Sequence, residues 1–331
     1  MRLLHYKQPY EITTSILNKV AAIMKLIGKF SSINHLENRP ILRRNNRIKS
    51  IHSSLAIENN QMSESQVRDL INGKVVIGPQ KDIIEVQNAI KVYDRIKEIN
   101  PYQQQDLLTY HRMLMHTLVP DPGKYRKGQV GVFDDEKAIF LAPPADRVKV
   151  LINQLYDYLI HDEDNILIKS SVFHYEFEFI HPFSDGNGRM GRLFQTCLLG
   201  KDEELFYDLP IESIIKQKQQ AYYDAIAQCN HMGASTIFIE FMLDAILETI
   251  EGTLKLANLE EKNLSLQATK LLHIMEHGMA YTAKELMDKV DIKSRASFKK
   301  HYLDQLLEQE IIVMTIPDKP NSRNQRYKKI S

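Results

Sequence analysis

HPFSDGNGRMGR, running from His181 to Arg192, is the stretch on which this sequence turns. Twelve residues hold one histidine, one aspartate, one asparagine, three glycines and two arginines. Beyond Arg189, Leu193, Cys197 and Leu198 recur at helical spacing, which predicts a loop followed by a helix. Gly186, Asn187 and Gly188 then head that helix. Its free backbone N–H groups and the positive end of its dipole form an anion site. Glycine lets a bulky phosphate come close to the backbone. Arg189 and Arg192, three residues apart, lie beside the same anion. Asp185 is itself negative, and a carboxylate next to phosphates holds Mg2+. The ordinary pKa of histidine, about 6.5, suits His181 to taking a proton near neutrality.

Singly, each piece has a plainer reading: a structural histidine, a turn, two solvated arginines. Together they point to a Mg2+-bound nucleotide or polyphosphate with a histidine beside it. These residues alone do not say which phosphorus is attacked.

The rest of the chain sets the frame. It has 331 residues, 43% hydrophobic and 26% charged, with a net charge of +1. That is ordinary for a globular protein of two or three domains, and no global field favours nucleic acid or a membrane. The two cysteines, Cys197 and Cys229, have no ligand spacing and exclude a disulfide scaffold. Neither a signal-peptide pattern nor a bilayer-spanning run is present, so the expectation is a cytoplasmic protein with no membrane partner.

Glycine and proline are sparse, and apolar residues recur at three- and four-residue steps, as in IFIEFMLDAILETIEGTLKL. A mostly α-helical protein follows. Three regions differ in texture: residues 1–105, helical and broken by INGKVVIGPQKD; residues 106–256, which carry the opening motif; and residues 265–331. Within the second, Gln129–Phe133 and Ala138–Leu141 flank an acidic turn at Asp134–Glu136 and predict a β-hairpin closed by Pro143 and Pro144. The third reads helix, helix, helix, hairpin, the order of a winged helix. A capping box is expected at Thr282 and Glu285, and a helix stop at Gly278. Residues 293–331 hold nine Lys/Arg against four Asp/Glu. A basic wing and a Ser/Arg-rich third helix favour DNA phosphates. The competing expectation, equally weighted, is a protein-contact or packing module, since no base-reading pattern is visible.

HPFSDGNGRMGR resembles the motif of the Fic family, His-Pro-Phe-x-Asp/Glu-Gly-Asn-Gly-Arg-x-x-Arg, at every fixed position. The resemblance implies a helical Fic core with a β-hairpin flap, and transfer of AMP from ATP to a hydroxyl of a Ser, Thr or Tyr side chain on a protein target, the chain itself included. It implies His181 as general base and Asp185 as the Mg2+ ligand. It also implies Gly186, Asn187 and Gly188 as the anion hole, with Arg189 and Arg192 orienting phosphates. The hairpin resembles the family's flap, with Ile139, Phe140 and Leu141 clamping the target by strand addition. YYDAIAQCN resembles the adenine-side pattern, which would assign Tyr222, Tyr223 and Asn230 to the nucleotide; helix packing is the alternative for the tyrosines. A homodimer is the family habit.

Upstream, SSLAIENNQMS resembles the family's inhibitory motif, Ser/Thr-x-x-x-Glu-Gly/Asn, through Ser54, Glu58 and Asn59. The implied logic is competition: Glu58 would pair bidentately with Arg192 and deny it to the γ-phosphate. Three other outcomes stay open at this point. One is transfer of UMP, GMP or a phosphate; the intact Gly188 disfavours the kinase-like branch. Another is removal of AMP supported by Glu58. The third, from another class, is a winged-helix DNA-binding regulator with a nucleotide-sensing core.

Overall fold

The helical periodicity of the sequence becomes helices along most of the chain in the computed structural model, which describes residues 8–32, 40–134, 137–261, 264–276, 278–308, 311–320 and 322–329. Contacts divide the chain into two units, 1–252 and 253–331.

The first unit opens with helices α1 (Thr14–Ser32), α2 (Pro40–Ile57), α3 (Glu64–Ile71), α4 (Gln80–Tyr93) and α5 (Gln104–Leu114). A capping box starts α3: Ser63 accepts from the Gln66 N–H while the Gln66 side chain reaches back to the Ser63 N–H. After the hairpin come α6 (Val148–His161), α7 (Ile166–Ile180), α8 (Asn187–Asp202), α9 (Ile211–Gln217), α10 (Gln219–Met232) and α11 (Thr236–Glu261). Helices α7 and α8 form the centre. Helix α8 is buried along almost its whole length, and α7 buries Leu167, Val172, Phe173, Phe177 and Ile180. Phe173 stacks on both Phe177 and Phe194, fixing the two helices beside each other. The loop that joins them is residues 181–186, so the opening motif sits at the middle of the core.

The hairpin consists of β1 (Gly131–Asp134) and β2 (Lys137–Leu141), antiparallel, pairing Gly131 with Leu141 and Val132 with Phe140, with an irregularity at Val132/Phe133. The first strand starts two residues later than Gln129. Cross-strand bonding still reaches Val130, whose carbonyl accepts the Ala142 N–H at 3.1 Å; before it the chain turns to the histidine loop, where the Arg126 N–H donates to the Pro182 carbonyl and the Arg126 side chain holds the Gly128 carbonyl. Part of the expected acidic turn falls on residues 135–136, outside the described residues.

The second unit runs α12 (Leu266–Ile274), β3 (Ala280–Thr282), α13 (Ala283–Val290), α14 (Arg295–Phe298), a π-helical turn over Lys299–Leu303, α15 (Asp304–Glu308), β4 (Ile312–Met314) and β5 (Arg326–Lys329). Its strands form an antiparallel sheet in the order β3-β5-β4. The Thr282/Glu285 capping box is present, and Gly278 takes a positive φ of 80°. Leu271, Leu286, Phe298, Leu303, Leu306, Ile312 and Tyr327 fill its core. Strand β3 has no counterpart in the sequence reading: three residues are too few to show a period. Among the described residues no helix is long and apolar enough to cross a membrane.

Candidate active site

Helix α7 ends where His181 turns left-handed, φ 49° and ψ 60°, and Pro182 cannot continue the helix. The His181 N–H still closes the last turn on the Phe177 carbonyl at 2.9 Å. Its ring Nδ1 lies 3.2 Å from the Glu178 carbonyl oxygen. That oxygen can only accept, so Nδ1 carries the proton and Nε2 keeps its lone pair. The ring is one-third exposed, at 33%. Burial lowers the His181 pKa below the ordinary histidine value, partly opposed by the Glu178 carbonyl, so the ring is neutral at neutral pH.

Two residues that no sequence pattern marks hold the loop around it. Arg126 donates to four carbonyls: Nε to His181 (2.7 Å), Nη1 to Gly128 (2.9 Å), Nη2 to Pro143 (2.6 Å) and Ile180 (3.2 Å). It ties the base of the hairpin to the histidine turn. His111 stacks on Phe183 with ring centroids 3.6 Å apart. Its Nδ1 accepts the Gly123 N–H at 2.7 Å, so its Nε2 donates to the Asp185 carbonyl at 3.0 Å. Burial pushes the His111 pKa down to about 4, which keeps that tautomer neutral.

The anion end of α8 is built by its own side chains. Asn187 is buried, and its amide embraces Phe183: Oδ1 accepts the Phe183 N–H and Nδ2 donates to the Phe183 carbonyl, both at 2.9 Å. Gly186 caps the helix at φ 87°, with Met115 Sδ only 2.7 Å from where a Cβ would stand. The first intrahelical bond runs from Met190 N–H to the Gly186 carbonyl, so the N–H groups of Asn187, Gly188 and Arg189 have no acceptor within the helix. They are the donors an anion would take.

Asp185 Oδ1 accepts from the Gly186 N–H (2.5 Å) and from Arg189 Nη2 (2.7 Å), and its side chain is 46% exposed. Both bonds fall on one oxygen, which leaves Oδ2 for a cation. Mg2+ brought in on phosphates needs only one or two protein carboxylates, so this donor fits. Among the described residues no cluster of three or more His, Cys, Asp or Glu forms a closed metal cage.

The two arginines diverge. Arg189 is buried between Asp185 and Glu85, the latter at 3.1 Å from Nη1. Arg192, 1% exposed, reaches across to α2. Its Nη2 donates to Glu58 Oε1 at 2.7 Å and to the Ser54 carbonyl at 2.9 Å, and its Nε donates to Ser54 Oγ at 3.3 Å. The Glu58 pair is therefore a single bond, not the bidentate fork expected: Nε and Nη2 are turned to the Ser54 hydroxyl and carbonyl, while Nη1 stands beside Gly188. Asn59 is left-handed at φ 65° and ends α2, which explains why glycine or asparagine suits that position.

Glu58 does more than neutralise Arg192. A Cβ on Gly188 would collide with Glu58 Oε1 and stand 3.0 Å from Arg192 Nη1. The carboxylate thus lies over the first turn of α8. Below it, Glu178 Oε1 is buried with no hydrogen-bond partner. Burial first, and then the Glu58 charge, push the Glu178 carboxyl up to about 8.

The adenine-side candidates separate. Tyr222 is 1% exposed; it packs against Phe238 and Phe241, and its hydroxyl meets His174 Nε2 at 3.0 Å. Its ring is occupied by helix packing. Tyr223 is 42% exposed, with its hydroxyl 3.4 Å from the Ile57 carbonyl at the end of α2. Asn230 Oδ1 accepts from the Tyr175 hydroxyl at 3.0 Å. In the hairpin, Ile139 and Phe140 lie on β2 with side chains outside the described residues, and Leu141 is exposed.

The Fic/DOC family matches residues 101–199, and the domain described as "Filamentation induced by cAMP protein Fic-like, C-terminal domain" matches residues 266–329. The curated "Protein adenylyltransferase Fic" of Nematostella vectensis is 30% identical over 217 residues, 62% of this chain and 48% of that protein. The chain spans about half the length of the curated relatives it matches. Fic-1 from C. elegans shares the fold at 18% identity and a TM-score of 0.61, over 74% of this chain and 73% of that one. The crystal structure of a Fic family protein from Desulfovibrio desulfuricans G20 is 39% identical, with a TM-score of 0.72, covering 98% of this chain and 99% of that one. With likeness at that identity running end to end over both chains, and the motif standing at the junction of the two central helices, this chain belongs to the Fic family.

Proposed function

We propose that this chain transfers AMP from Mg2+-ATP to a serine, threonine or tyrosine hydroxyl of a protein, and that Glu58 restrains the reaction. One observation carries the reading: a neutral histidine with a free Nε2 stands at the turn that leads into an uncapped helix N-terminus. The name of the curated relatives, protein adenylyltransferase, supports AMP as the group moved.

His181 Nε2 takes the proton of the acceptor hydroxyl as the oxygen bonds to the α-phosphorus. The bond from that phosphorus to the pyrophosphate oxygen breaks, and pyrophosphate leaves with the electron pair. The α8 N–H groups stabilise the charge that builds on phosphate oxygens. Asp185 would hold Mg2+, which offsets phosphate charge. Arg126 and His111 act one step back, keeping the histidine turn and the Asp185 backbone in place. The 137–141 strand offers an edge on which an extended target segment can lie.

Autoinhibition follows from position. Glu58 occupies the guanidinium of Arg192 and the space above Gly188, where a phosphate must come. Both cysteines are buried and unpaired, which suits a reducing compartment such as the cytoplasm.

The experiment is label transfer to protein from ATP labelled on the α- or the γ-phosphate, in wild type, Glu58→Gly, and Glu58→Gly with His181→Ala. The expected result is α-label transfer that rises at least about tenfold in Glu58→Gly, equivalent to about 1.4 kcal/mol, and disappears with His181. Transfer of γ-label alone would replace the reaction with phosphate transfer.

A further inference from the structure

We propose that the second unit binds duplex DNA, with the helix that begins at Arg295 in the major groove and the β4–β5 loop against the backbone. The inference stands apart from the transfer reaction and uses none of its residues.

The local geometry is that of a helix-turn-helix. Helix α13 ends at Val290, Asp291 turns left-handed at φ 56°, and the next helix starts at Arg295 with Ser294 as its cap. Four residues, 291–294, make the turn, the connection such motifs use. The second helix runs from Arg295 to Glu308 through its π turn. Phe298, Tyr302, Leu303 and Leu306 hold its inner side in the core. Its outer side exposes Arg295, Ala296, Lys299, Lys300 and His301 over the first two turns, with Lys293 just before it, and Glu308 at its far end, with Asp304 half-buried between.

The charge on the N-terminal half of that face is one-sided, the acidic residues Asp304 and Glu308 coming only at its C-terminal end. Residues 292–303 contain four Lys/Arg and no Asp or Glu, in a chain whose net charge is only +1. Among the described residues none of Lys293, Arg295, Lys299 or Lys300 pairs with a carboxylate. Lys319 and Arg323, exposed in the loop between β4 and β5, add cations of the same sign.

Three features select duplex DNA among polyanions. Ala296 and Ser297 keep the outer face narrow between its cations, so the helix can enter a major groove about 12 Å wide. Tyr281, Phe298, Tyr302 and Tyr327 are all buried, which removes the stacking platforms that single strands require. No large apolar side chain stands among the outward cations to insert into a lipid surface.

The test uses the full chain and a labelled random-sequence duplex of about 30 base pairs, titrated by fluorescence anisotropy between 50 and 200 mM KCl, in the salt range where binding to phosphates is most sensitive. Arg295→Glu/Lys299→Glu/Lys300→Glu is compared with Lys25→Glu/Lys91→Glu/Lys149→Glu, three exposed lysines of the first unit. Binding should weaken with salt. The first triple should lose at least about tenfold in affinity and flatten the log–log salt slope by about 3, at about 0.9 for each phosphate no longer neutralised. The milder Lys299→Ala/Lys300→Ala pair should flatten it by about 2, guarding against a folding defect. The control triple should bind like wild type. The proposal is overturned by the absence of saturable binding at 50 mM KCl, by equal loss in the control triple, or by equal affinity for a single strand or phosphatidylserine vesicles.

Discussion

Glu58 and Gly188 share one volume: the Glu58 carboxylate oxygen lies where a side chain on Gly188 would begin. The one follows α2 and the other lies in the first turn of α8, 130 residues apart in sequence, and the ion pair with Arg192 holds the carboxylate over that turn. The proposed restraint thus has two parts, an ion pair and an occupied space, and substitutions can separate them.

Gly188→Ala expels the Glu58 carboxylate and crowds Arg192, yet puts its own methyl group in the same place. We expect a loss of about 1–3 kcal/mol from the disturbed buried pair. Transfer should not rise, in contrast to Glu58→Gly. Thermal unfolding and α-label transfer on the two variants decide it: equal activation by both would show that the space above Gly188 is not needed by the phosphate.

Glu58→Gly leaves the guanidinium of Arg192, 1% exposed, with only Ser54 as hydrogen-bond partner among the described residues. An uncompensated buried charge is costly, so the variant should melt below wild type. Saturating Mg2+-ATP should return a counter-charge, and ligand linkage makes the gain visible as a Tm rise. The expected ATP-induced rise is larger in Glu58→Gly than in wild type, measured by differential scanning fluorimetry.

Arg126→Ala strands four carbonyls, of Ile180, His181, Gly128 and Pro143. At about 1 kcal/mol or more for each missing charge-assisted bond, destabilisation should exceed about 3 kcal/mol. Arg126→Lys keeps the charge but not the planar fork, and should recover only part of it. Denaturant unfolding gives the two values, and transfer in the Glu58→Gly background should fall with both.

The pH profile of stability follows from four buried groups. Burial lowers His111 to about 4 and His174 to about 3. Their contribution is present above the ordinary value near 6.5 and is lost as pH falls through those depressed values. Burial raises Glu176 to about 7 and Glu178 to about 8. Theirs is fully present below about 4.5 and is lost as pH rises through 7 and 8. Between about 4.5 and 6.5 the two trends oppose each other. Glu178→Gln imitates the protonated carboxyl, so its Tm advantage over wild type should widen from pH 6 to pH 9; a constant gap would place the ionisation elsewhere.

Much of this chain was legible before its fold. Helical periodicity located the long helices, and the Thr282/Glu285 cap stands where its residues place it, because both signals are local. The hairpin was found within two residues; its first regular pair is Gly131 with Leu141, one bond beyond the Ala142 N–H to Val130 carbonyl contact. Strand β3 was invisible, being three residues paired with β5, far along the chain. His111, Arg126, Glu85 and Glu178 were equally invisible, since a lone polar residue on a helix or loop looks solvated until its burial is known.

By itself the sequence determined the groups on offer at 181–192: a histidine, a helix start with free N–H groups and one carboxylate, all fixed by short-range order along the chain. Tertiary structure alone decided which way each group was turned. Arg189 went to Glu85 and Asp185, Arg192 went to Glu58, and Tyr222 went into the core. The physical reason is that a buried charge or hydroxyl must find a partner, and the partners come from helices that only packing brings together.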